Sequence, residues 1–570
     1  MLLVTTADQT TWGRDEEILF LGEWCLVAGR EGALEGRRYR VLPYHWDDRN
    51  KLNTDACMLA ERCEQILPGL AERLNAIHGT HHDVRYWRLV AGSWLIWMLA
   101  VVWDRHECLK RAAALGATHT YALEGAALPP LDFAAMGSLA PRDDAWNHAL
   151  CARLLARFPT ISTRVLPARV LPASQIAHRN MRFGRLKALL RSAVRLVRPR
   201  IAFVNMHAPI CVQMRLQLAL GQLPLILSAP AVPSIERQQA LRDKFRINCG
   251  DDEFGTAMSL ILADSFPSVL LEGYESGRAL ALRSLPRSPR VIVTANAHAN
   301  ELFCLWAAEQ QAPLIILQHG GHYGVDRLEM MEDHELAIAD FFCSWGWRRD
   351  GHHNIRPMPA FKIQAMLAER APASRRNLLV VYDSAHRYPY RIYNVPIAGQ
   401  RRIDNEEQLK LLENLPAHVR AELKLRCHPM EDGFGFRLAL RRMGFSQQFD
   451  TVGDMAASIK NARLCVIASN STPLLEAMAS GTPTLAYYVP SFAEERDEAK
   501  PFFDALRKAG ILHTDSTACA MKIAAVWEDP QSWWREPEVK VAREAFVEHF
   551  AINRPDYLRH WRAFLTDVGR

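Results

Sequence analysis

The sequence predicts an α/β chain of two Rossmann-like domains, each built on a parallel sheet. Short apolar segments alternate with helical segments, and loops with Gly or Pro follow many of the strands, which is typical of βαβ units. The length of 570 residues exceeds what one hydrophobic core accommodates. The stretch Arg370–Asn377 carries Pro, Ser and Arg without apolar periodicity, and we interpret it as the linker between the domains.

The individual elements follow from apolar runs and from helical periodicity between them. The predicted strands are Leu2–Thr5, Ile201–Asn205, Pro224–Leu227, Val291–Ala295, Leu314–Leu317, Leu378–Tyr382, Glu422–Cys427, Leu464–Ala468 and Thr484–Tyr488. The predicted helices include Asp55–His78, Ala145–Arg157, Ala299–Gln310, Glu406–Leu415 and Pro473–Ala479.

The domain division follows from the position of the linker. The N-terminal domain covers residues 1–370, and because it is large for one such domain we expect a helical insertion at about residues 50–190. The second domain covers residues 371–545. After residue 530 the pattern predicts helices rich in Trp and Arg, and we expect the tail, residues 546–570, to pack back on the N-terminal domain.

Composition excludes few functional classes. Hydrophobic residues make up 49% of the chain and charged residues 23%, which is ordinary for a globular protein. The net charge of +6 suits an anionic substrate or an anionic membrane surface and is too small to indicate nucleic acid. The twelve cysteines are scattered singly, which favours a reducing compartment. The first residues lack the pattern of a signal peptide, so we expect a cytoplasmic protein.

One apolar segment, Leu89–Trp103, raises the question of membrane contact. Its fifteen residues fall below the roughly 18 to 20 that a spanning helix needs. A buried core helix is the favoured interpretation. The alternative is an interfacial helix with its three tryptophans at the inner face of the cytoplasmic membrane.

The strongest candidate for a binding site is the polar turn between the strand ending at Ala468 and the helix beginning at Pro473. Helix N-termini offer free backbone N–H groups and a favourable dipole to anions. In an open α/β sheet this point is also the ligand crevice. The alternative is a capped helix that binds nothing. The predicted anion-binding residues are Ser469, Asn470, Ser471 and Thr472, with Glu476 one turn further along.

A second element, Leu423–Gly435, is expected beside this turn. Its strand delivers Arg426 and the pair His428-Pro429 to the carboxyl end of the sheet. A residue before proline is held extended, so the imidazole can point at a phosphate oxygen. The alternative is a structural histidine.

In the N-terminal half, two predicted strands end in loops that carry imidazole and amide groups. Glycines in such a loop let the backbone approach a ligand. Metal binding by His319, His322, Asp333 and His334 is the alternative, but their spacing matches no common zinc pattern. The predicted cleft residues are Asn296, His298, Gln318, His319, Gly320, Gly321, His322 and Tyr323.

Three carboxylates near the N-terminus, Glu23, Asp47 and Asp48, are adjacent to aromatic residues. Apolar surroundings raise the pKa of a carboxyl group, as a general acid or base requires. They are therefore candidate catalytic residues together with His319. The alternative is a carboxylate that pins a loop through Arg40 or Arg49.

The two C-terminal elements resemble the CMP-sugar-using GT-B transferases, including bacterial sialyltransferases and Kdo transferases. In those enzymes a His-Pro pair and a Ser/Thr-rich turn before a helix hold the cytidine monophosphate. The resemblance implies that the donor phosphate binds at the turn and at Arg426 and His428, and that Glu476 takes a ribose hydroxyl. It also implies a cleft between two domains and no need for a metal or another cofactor.

The whole chain resembles a family of transferases found with bacterial O-antigen and surface-polysaccharide loci. The motifs that carry the resemblance are TTADQTTWGRDEEILFLGEWC, YHWDDR, HDVRYWR, QHGGHYG, SWGW, ERDEAKPFFDALRKAGI and WEDPQSWW. The family pattern departs from this sequence at His428, which places more weight on Arg426 and on the turn.

Together these resemblances imply a GT-B glycosyltransferase that moves a sugar from a nucleotide donor to a glycan or lipid-linked glycan acceptor. A CMP-linked ulosonic acid such as CMP-Kdo is the favoured donor, with a UDP- or GDP-sugar as the alternative. An inverting and a retaining mechanism both stay open. Two further classes of function also stay open, a non-catalytic nucleotide-sugar-binding assembly protein and an epimerase or hydrolase of a nucleotide sugar.

Overall fold

The computed structural model describes residues 1–125, 128–167, 198–298, 300–368, 375–383, 386–430, 433–450 and 453–570. Their strands form three five-stranded parallel sheets. The α/β class and the pair of Rossmann-like domains that face each other are confirmed by the second and third sheets. The first sheet is a third parallel sheet, which the prediction of two domains does not include. The predicted domain boundary near residue 370, and residues 168–190 of the predicted insertion, lie outside the described residues.

The first sheet has the strand order β3-β2-β1-β4-β5. Two of its strands lie inside the predicted helical insertion, so this region is not purely helical. They were missed because they alternate polar and apolar residues or are exposed at the sheet edge. The strands are β1 Leu2–Val4, β2 Ile18–Phe20, β3 Tyr39–Val41, β4 His119–Leu123 and β5 Ser162–Leu166.

The second sheet has the order β10-β9-β8-β7-β6, in which neighbours in space follow each other in the chain. Strands β7 and β8 are fully buried, as expected when helices cover both faces of a parallel sheet. The predicted strand Pro224–Leu227 forms only a single bridge, between Leu227 and Val204. The strands are β6 Ile201–Phe203, β7 Val291–Thr294, β8 Leu314–Leu317, β9 Phe341–Ser344 and β10 Ile355–Pro357.

The third sheet has the order β12-β11-β13-β14-β15, in which β11 lies between the two strands that follow it in the chain. The connections therefore leave β11 and β13 toward opposite faces and open a crevice at their carboxyl ends. The strands are β11 Asn377–Tyr382, β12 Leu423–Cys427, β13 Ala462–Ile467, β14 Thr484–Tyr487 and β15 Leu512–His513.

Helices cover the sheets and connect them. The longest, Arg49–His78, begins where the carboxylate of Asp48 accepts from the amides of Asn50 and Lys51. The other α-helices in the described part of the chain are Val84–Trp87, Ser93–Ala114, Phe133–Leu139, Asp144–Leu155, Ile210–Ala219, Gln239–Lys244, Glu253–Ser265, Tyr274–Ser284, Glu301–Ala308, Met330–Ile338, Phe361–Ala368, Gln400–Glu413, Ala417–Ala421, Phe436–Arg442, Met455–Asn461, Thr472–Ser480, Lys500–Lys508, Ser516–Val526, Pro530–Trp534, Pro537–Phe550 and Tyr557–Val568.

The apolar segment at Leu89–Trp103 lies within a continuous helical stretch, Val84–Ala114, that contains a π-turn at Arg88–Gly92. By length and composition this stretch could cross a membrane. However, 83% of its apolar window is buried inside the protein. Burial of this kind is typical of a core helix.

The helix Tyr557–Val568 crosses back from the third sheet to the second. Trp561 stacks on Phe361 with ring centroids 4.5 Å apart, and its indole N–H donates to the carbonyl of Pro359 at 2.9 Å. Trp561 and Leu565 belong to the same apolar cluster as β6, β7 and β8. The chain therefore runs twice between the second and third sheets.

Candidate active site

The predicted polar turn lies at the crevice of the third sheet. Asp383 follows β11, and Ser469 follows β13 after a single intervening residue. Both line a small pocket together with Asn394, Arg401 and Tyr488. The turn therefore occupies the position at which doubly wound sheets bind ligands.

The following helix, Thr472–Ser480, begins one residue earlier than expected. Ser471 is its N-cap residue, but the Ser471 hydroxyl contacts the Ser469 hydroxyl at 2.6 Å instead of a helix amide. The helix ends at Gly481, whose φ of 70° is the left-handed conformation that glycine adopts without strain. Two hydroxyls of the turn are thus held together at the helix N-terminus.

The turn is in direct contact with the Gln318–Gly324 loop of the second sheet. The amide of Gly321 donates to the Thr472 hydroxyl at 2.9 Å. A Cβ atom at Gly321 would lie 2.5 Å from the Thr472 nitrogen, so only glycine fits there. Two segments that the sequence predicted separately therefore meet at the cleft.

Next to this contact lies an ion pair between His322 Nδ1 and Asp326 Oδ2 at 2.9 Å. Burial alone lowers the pKa of His322, but the carboxylate of Asp326 outweighs it and raises the pKa to about 9. The other oxygen of Asp326 accepts from the Asn470 amide at 2.7 Å. A protonated imidazole therefore lies beside the turn at neutral pH.

Three buried carboxylates, Glu329, Glu332 and Glu335, lie on one face of the helix Met330–Ile338 and its cap. Their spacing of three places them on the same side. Glu332 pairs with Arg496 at 2.7 Å and Glu329 lies 3.8 Å from Arg391, both arginines belonging to the third-sheet half. This helix therefore docks on the part of the protein that contains the third sheet.

The third carboxylate, Glu335, contacts a row of three histidines that follow the carboxyl ends of β6, β7 and β8. Its Oε1 lies 2.7 Å from His298 Nδ1. The His298 ring is 5.7 Å from His319, which in turn is 6.1 Å from His207. Asn205 and His207 both have left-handed backbone, with φ of 52° and 45°, a strain that clusters at functional sites.

The charge state of this row of histidines follows from its burial. Burial lowers the pKa of His298 to about 3 and that of His319 to about 4, so both rings are neutral at pH 7. Burial raises the pKa of Glu335 to about 7. His319 Nδ1 is buried without a hydrogen-bond partner. A neutral imidazole with an unused nitrogen is equipped to accept a proton.

A small pocket opens on His207 and His319. Its other walls include Phe361, Trp561 and Lys362. The Lys362 ammonium forms an ion pair at 2.7 Å with Glu476, the residue predicted to bind ribose. Glu476 is buried and thus links the helix of the turn to this pocket.

Arg426 and His428 lie at the other end of the crevice. Arg426 donates to Ser458 and to the carbonyl of Gly453, and it pairs with Asp450 at 3.3 Å. The His428 ring accepts from the Met430 amide at 3.3 Å, and Pro429 is exposed. These contacts hold the strand-to-loop junction, and none of them reaches the Ser469–Thr472 turn.

The three N-terminal carboxylates lie at the interface between the first sheet and the helix Gln400–Glu413. Glu23 pairs with Arg402 at 2.8 Å, and Asp47 accepts from Gln400 at 3.0 Å. Asp48 caps the helix Arg49–His78. These contacts favour the loop-pinning interpretation, although with partners other than Arg40 and Arg49.

Gln318 is a positioning residue of the loop. Its side-chain oxygen accepts from the Trp345 amide at 2.7 Å and from the Trp347 indole at 2.8 Å, and its nitrogen donates to the Gly320 carbonyl. Tyr323 packs against His319 with centroids 5.1 Å apart. Asn296, which follows β7, has a buried side-chain oxygen without a hydrogen-bond partner. The predicted cleft residues therefore share one neighbourhood.

The sequence pattern of one family matches residues 1–565, almost the whole chain. The chain belongs to the LIC12162 transferase family. The protein is therefore a transferase. No functionally curated protein matches it in sequence.

Similarity of the transferase to solved structures is weak. A candidate UDP-N-acetylglucosamine 2-epimerase from Listeria monocytogenes is 12% identical with a TM-score of 0.37, covering 65% of this chain and 96% of its own. A trehalose-phosphate synthase (UDP-forming) from Burkholderia vietnamiensis is 13% identical with a TM-score of 0.34, covering 65% and 99%. The wall teichoic acid polymerase TagF is 10% identical with a TM-score of 0.31, covering 69% and 95%. At these values no activity or substrate carries over.

The residues considered for a metal do not converge in the transferase. His322 pairs with Asp326, Asp333 pairs with Arg349, and His334 packs against Gly92 of the π-turn. Another group, His45, Asp104 and Cys108, has ligand atoms within 4.8 Å of one another. Its carboxylate already accepts from Tyr44 and pairs with His45 and Arg105, so this group fits a buried hydrogen-bond network better than a metal.

Several site residues of the transferase were missed in the sequence. The signal for Glu329, Glu332 and Glu335 was available, since acidic residues three apart in an otherwise apolar helix share a face. His207 follows a strand that was predicted correctly. Arg391 lies in the irregular segment after β11, where no pattern distinguishes it.

Proposed function

We propose that the protein is a glycosyltransferase of the GT-B type, with a nucleotide-activated sugar bound at the crevice of the third sheet. One observation carries the proposal: the Ser469–Thr472 turn lies at the crevice and touches the Gln318–Gly324 loop of the facing sheet through Gly321 and Thr472. A ligand bound there is held between two domains, as transfer from a donor to an acceptor requires.

In this proposal the turn and the protonated His322 bind the nucleotide phosphate, and the sugar extends toward His319. The acceptor hydroxyl approaches His319 from the side of the small pocket that His207, Phe361 and Lys362 line. A surface polysaccharide or glycolipid is the proposed acceptor, reached from the cytoplasm at the inner face of the membrane. Cationic side chains then take the role that a metal ion has in other transferases, so we propose that none is needed.

The proposed reaction is a single displacement at the sugar, in which the neutral His319 acts as the base. The acceptor oxygen forms a bond to the anomeric carbon of the sugar, and the bond from that carbon to the phosphate oxygen breaks. The electron pair of the broken bond stays on the phosphate, and the acceptor proton moves to His319 Nδ1. Nearby Glu335 then stabilises the imidazolium electrostatically, because its carboxylate raises the pKa of His319.

A CMP-linked ulosonic acid is the proposed donor, and a UDP- or GDP-sugar is the alternative. Thermal-shift measurements with CMP, UDP, GDP and their sugars separate them. A ligand at 100 times its Kd stabilises the folded state by about 2.7 kcal/mol, which is readily visible. Stabilisation by no nucleotide would contradict the glycosyltransferase proposal, and stabilisation by UDP but not CMP would contradict the donor.

A second candidate, a non-catalytic nucleotide-sugar-binding protein, makes a different prediction. Nucleotides would stabilise it equally well, but donor and acceptor together would release no free nucleotide. Loss of nucleotide release in His319→Gln, with unchanged thermal stabilisation by the nucleotide, supports the catalytic proposal. Wild-type protein without any release in the presence of candidate acceptors supports the binding protein.

A further inference from the structure

The segment His386–Asn394, which follows β11, lies between all three sheets. Arg105 donates to the carbonyl of Pro389 from the first-sheet side, and Asn394 accepts from the Leu328 amide of the second. Asn394 also lines the crevice of the third sheet. The Asn394 end of this segment therefore lies beside the proposed nucleotide site.

Two guanidinium groups and an imidazole come together along this segment. Arg142 of the first-sheet half donates to His386 Nδ1 at 3.1 Å. The His386 ring lies 4.7 Å from the ring of Tyr390, and the Arg391 guanidinium lies 5.5 Å from that same ring. One tyrosine ring is thus flanked by His386 and by Arg391.

Arg391 is held in a defined position while staying accessible. It also stacks over Tyr393 at 4.1 Å, and its side chain is 22% exposed. Its carboxylate neighbour Glu329 is at 3.8 Å, longer than a close ion pair, and only 3% exposed. A guanidinium that cannot lose its proton and is largely withdrawn from water is stabilised by a further anion.

His386 contributes a hydrogen-bond donor rather than a charge. Its Nδ1 accepts from Arg142, so the ring proton belongs on Nε2. Burial lowers the pKa of His386 to about 3, and the nearby Arg142 and Arg391 act in the same direction, which keeps the ring neutral. The group therefore presents two cations and one neutral N–H.

We propose that Arg142, His386 and Arg391 form a second anion-binding site, which takes the second anionic group of the donor. This inference rests on the proposed function. In a nucleoside diphosphate sugar the second group is the β-phosphate, and in a CMP-linked sugar acid it is the sugar carboxylate. The turn at Ser469–Thr472 binds the phosphate next to the nucleoside in both cases.

Calorimetric titration of the full chain with UMP, UDP, CMP, CDP and CMP-N-acetylneuraminic acid tests the site. Hydrogen bonds to charged groups contribute about 1.5–3 kcal/mol, so Arg391→Met or Arg142→Met weakens binding of the doubly anionic ligand by about 10- to 100-fold. The Kd of the monophosphate stays within about twofold. His386→Gln, which retains an N–H donor, gives a smaller loss.

The identity of the affected ligand reveals the source of the anion. Selective loss of UDP or CDP binding assigns the site to a β-phosphate, and selective loss of CMP-N-acetylneuraminic acid assigns it to a carboxylate. Arg356→Met is the matched control, since Arg356 also lies over an aromatic ring, that of Phe341 at 5.2 Å, at the far end of the second sheet. Its affinities should equal those of the wild type.

Two results overturn the inference, and they are distinguishable. If the wild type binds these nucleotides but the arginine variants bind all of them equally well, the second site is refuted and the proposed function stands. If the wild type binds none of them, and neither GMP nor GDP, both are refuted. Circular dichroism and the midpoint of thermal unfolding without ligand show whether each variant is folded.

Discussion

The side-chain amide of Asn470 donates to Asp326 Oδ1 at 2.7 Å, although 144 residues separate them in the chain. Both side chains are buried, at 2% and 0% exposure. Asn470 belongs to the turn of the third sheet, and Asp326 lies just beyond the glycine-rich loop of the second. Because neither group reaches water, this bond fixes the distance between the two halves of the proposed site.

Replacing Asn470 with Ala leaves Asp326 with an unsatisfied buried oxygen. We expect the free energy of unfolding to fall by about 1–3 kcal/mol, measured by urea denaturation. Asn414→Ala is the matched control, because the Asn414 amide makes only an exposed contact to Thr517 at 3.3 Å. Equal stability of the two variants would show that the interdomain bond contributes nothing.

Stability should depend on the protonation of His322. Its folded pKa of about 9 lies above the usual 6.5, so the ion pair with Asp326 stabilises the fold fully below pH 6.5. That contribution, at most about 3 kcal/mol, disappears as the pH rises through 9. The difference in thermal midpoint between wild type and His322→Gln should therefore shrink from pH 6 to pH 9.5. A difference independent of pH would contradict the charged pair.

A methyl group at Gly321 should separate the loop from the turn, because it would meet backbone atoms of Ser471 and Thr472 rather than a movable side chain. We expect Gly321→Ala to lose most of the thermal stabilisation by nucleotide. Gly32→Ala is the control, since nothing lies within 4 Å of its Cβ position. Full nucleotide stabilisation of Gly321→Ala would place the ligand elsewhere.

Glu335 should affect activity and stability in opposite directions. Burial raises its pKa from 4.5 to about 7, so the folded state binds more protons than the unfolded state and stability falls between pH 4.5 and 7. Glu335→Gln removes this penalty and should gain stability at pH 8 relative to pH 5. The turnover of this variant should be lower by about 10-fold or more. It should also lack the rise with pH near 7 that we expect for the wild type. A variant with wild-type turnover would exclude Glu335 from the reaction.

The N-terminal carboxylates give a test between two roles. If Glu23 and Asp47 only dock the first sheet on the helix Gln400–Glu413, then Glu23→Gln and Asp47→Asn should retain turnover within about twofold. Half-exposed pairs of this kind contribute about 0–1 kcal/mol, so stability should change little. A loss of turnover by about 100-fold would restore the acid/base role.

Much of the second and third sheets was predictable because most of their strands are runs of mainly apolar residues. The predicted segment Leu314–Leu317 coincides with β8, and Thr484–Tyr488 exceeds β14 by one residue. Both strands are buried on two faces, which favours apolar side chains at nearly every position. The turn Ser469–Thr472 was predictable for the same reason, since a buried strand that stops abruptly in hydroxyl residues before a proline marks a helix start.

The first sheet could not be predicted in the same way. Strand β5 has four exposed residues of five, and β4 alternates, so neither forms an apolar run. The pairing of Glu329 with Arg391 was also out of reach, because it joins segments more than 60 residues apart. Burial of a charge is a tertiary property, and local sequence does not encode it.

The crossing of the helix Tyr557–Val568 has a consequence for biosynthesis. Trp561 and Leu565 complete the apolar cluster beneath β6, β7 and β8, yet they are translated after the whole third sheet. The part of the chain that forms the third sheet can therefore fold on the ribosome, while the part that forms the second sheet still lacks its last helix. We expect hydrogen exchange on stalled nascent chains to show protection of β11 and β13 before protection of β7 and β8.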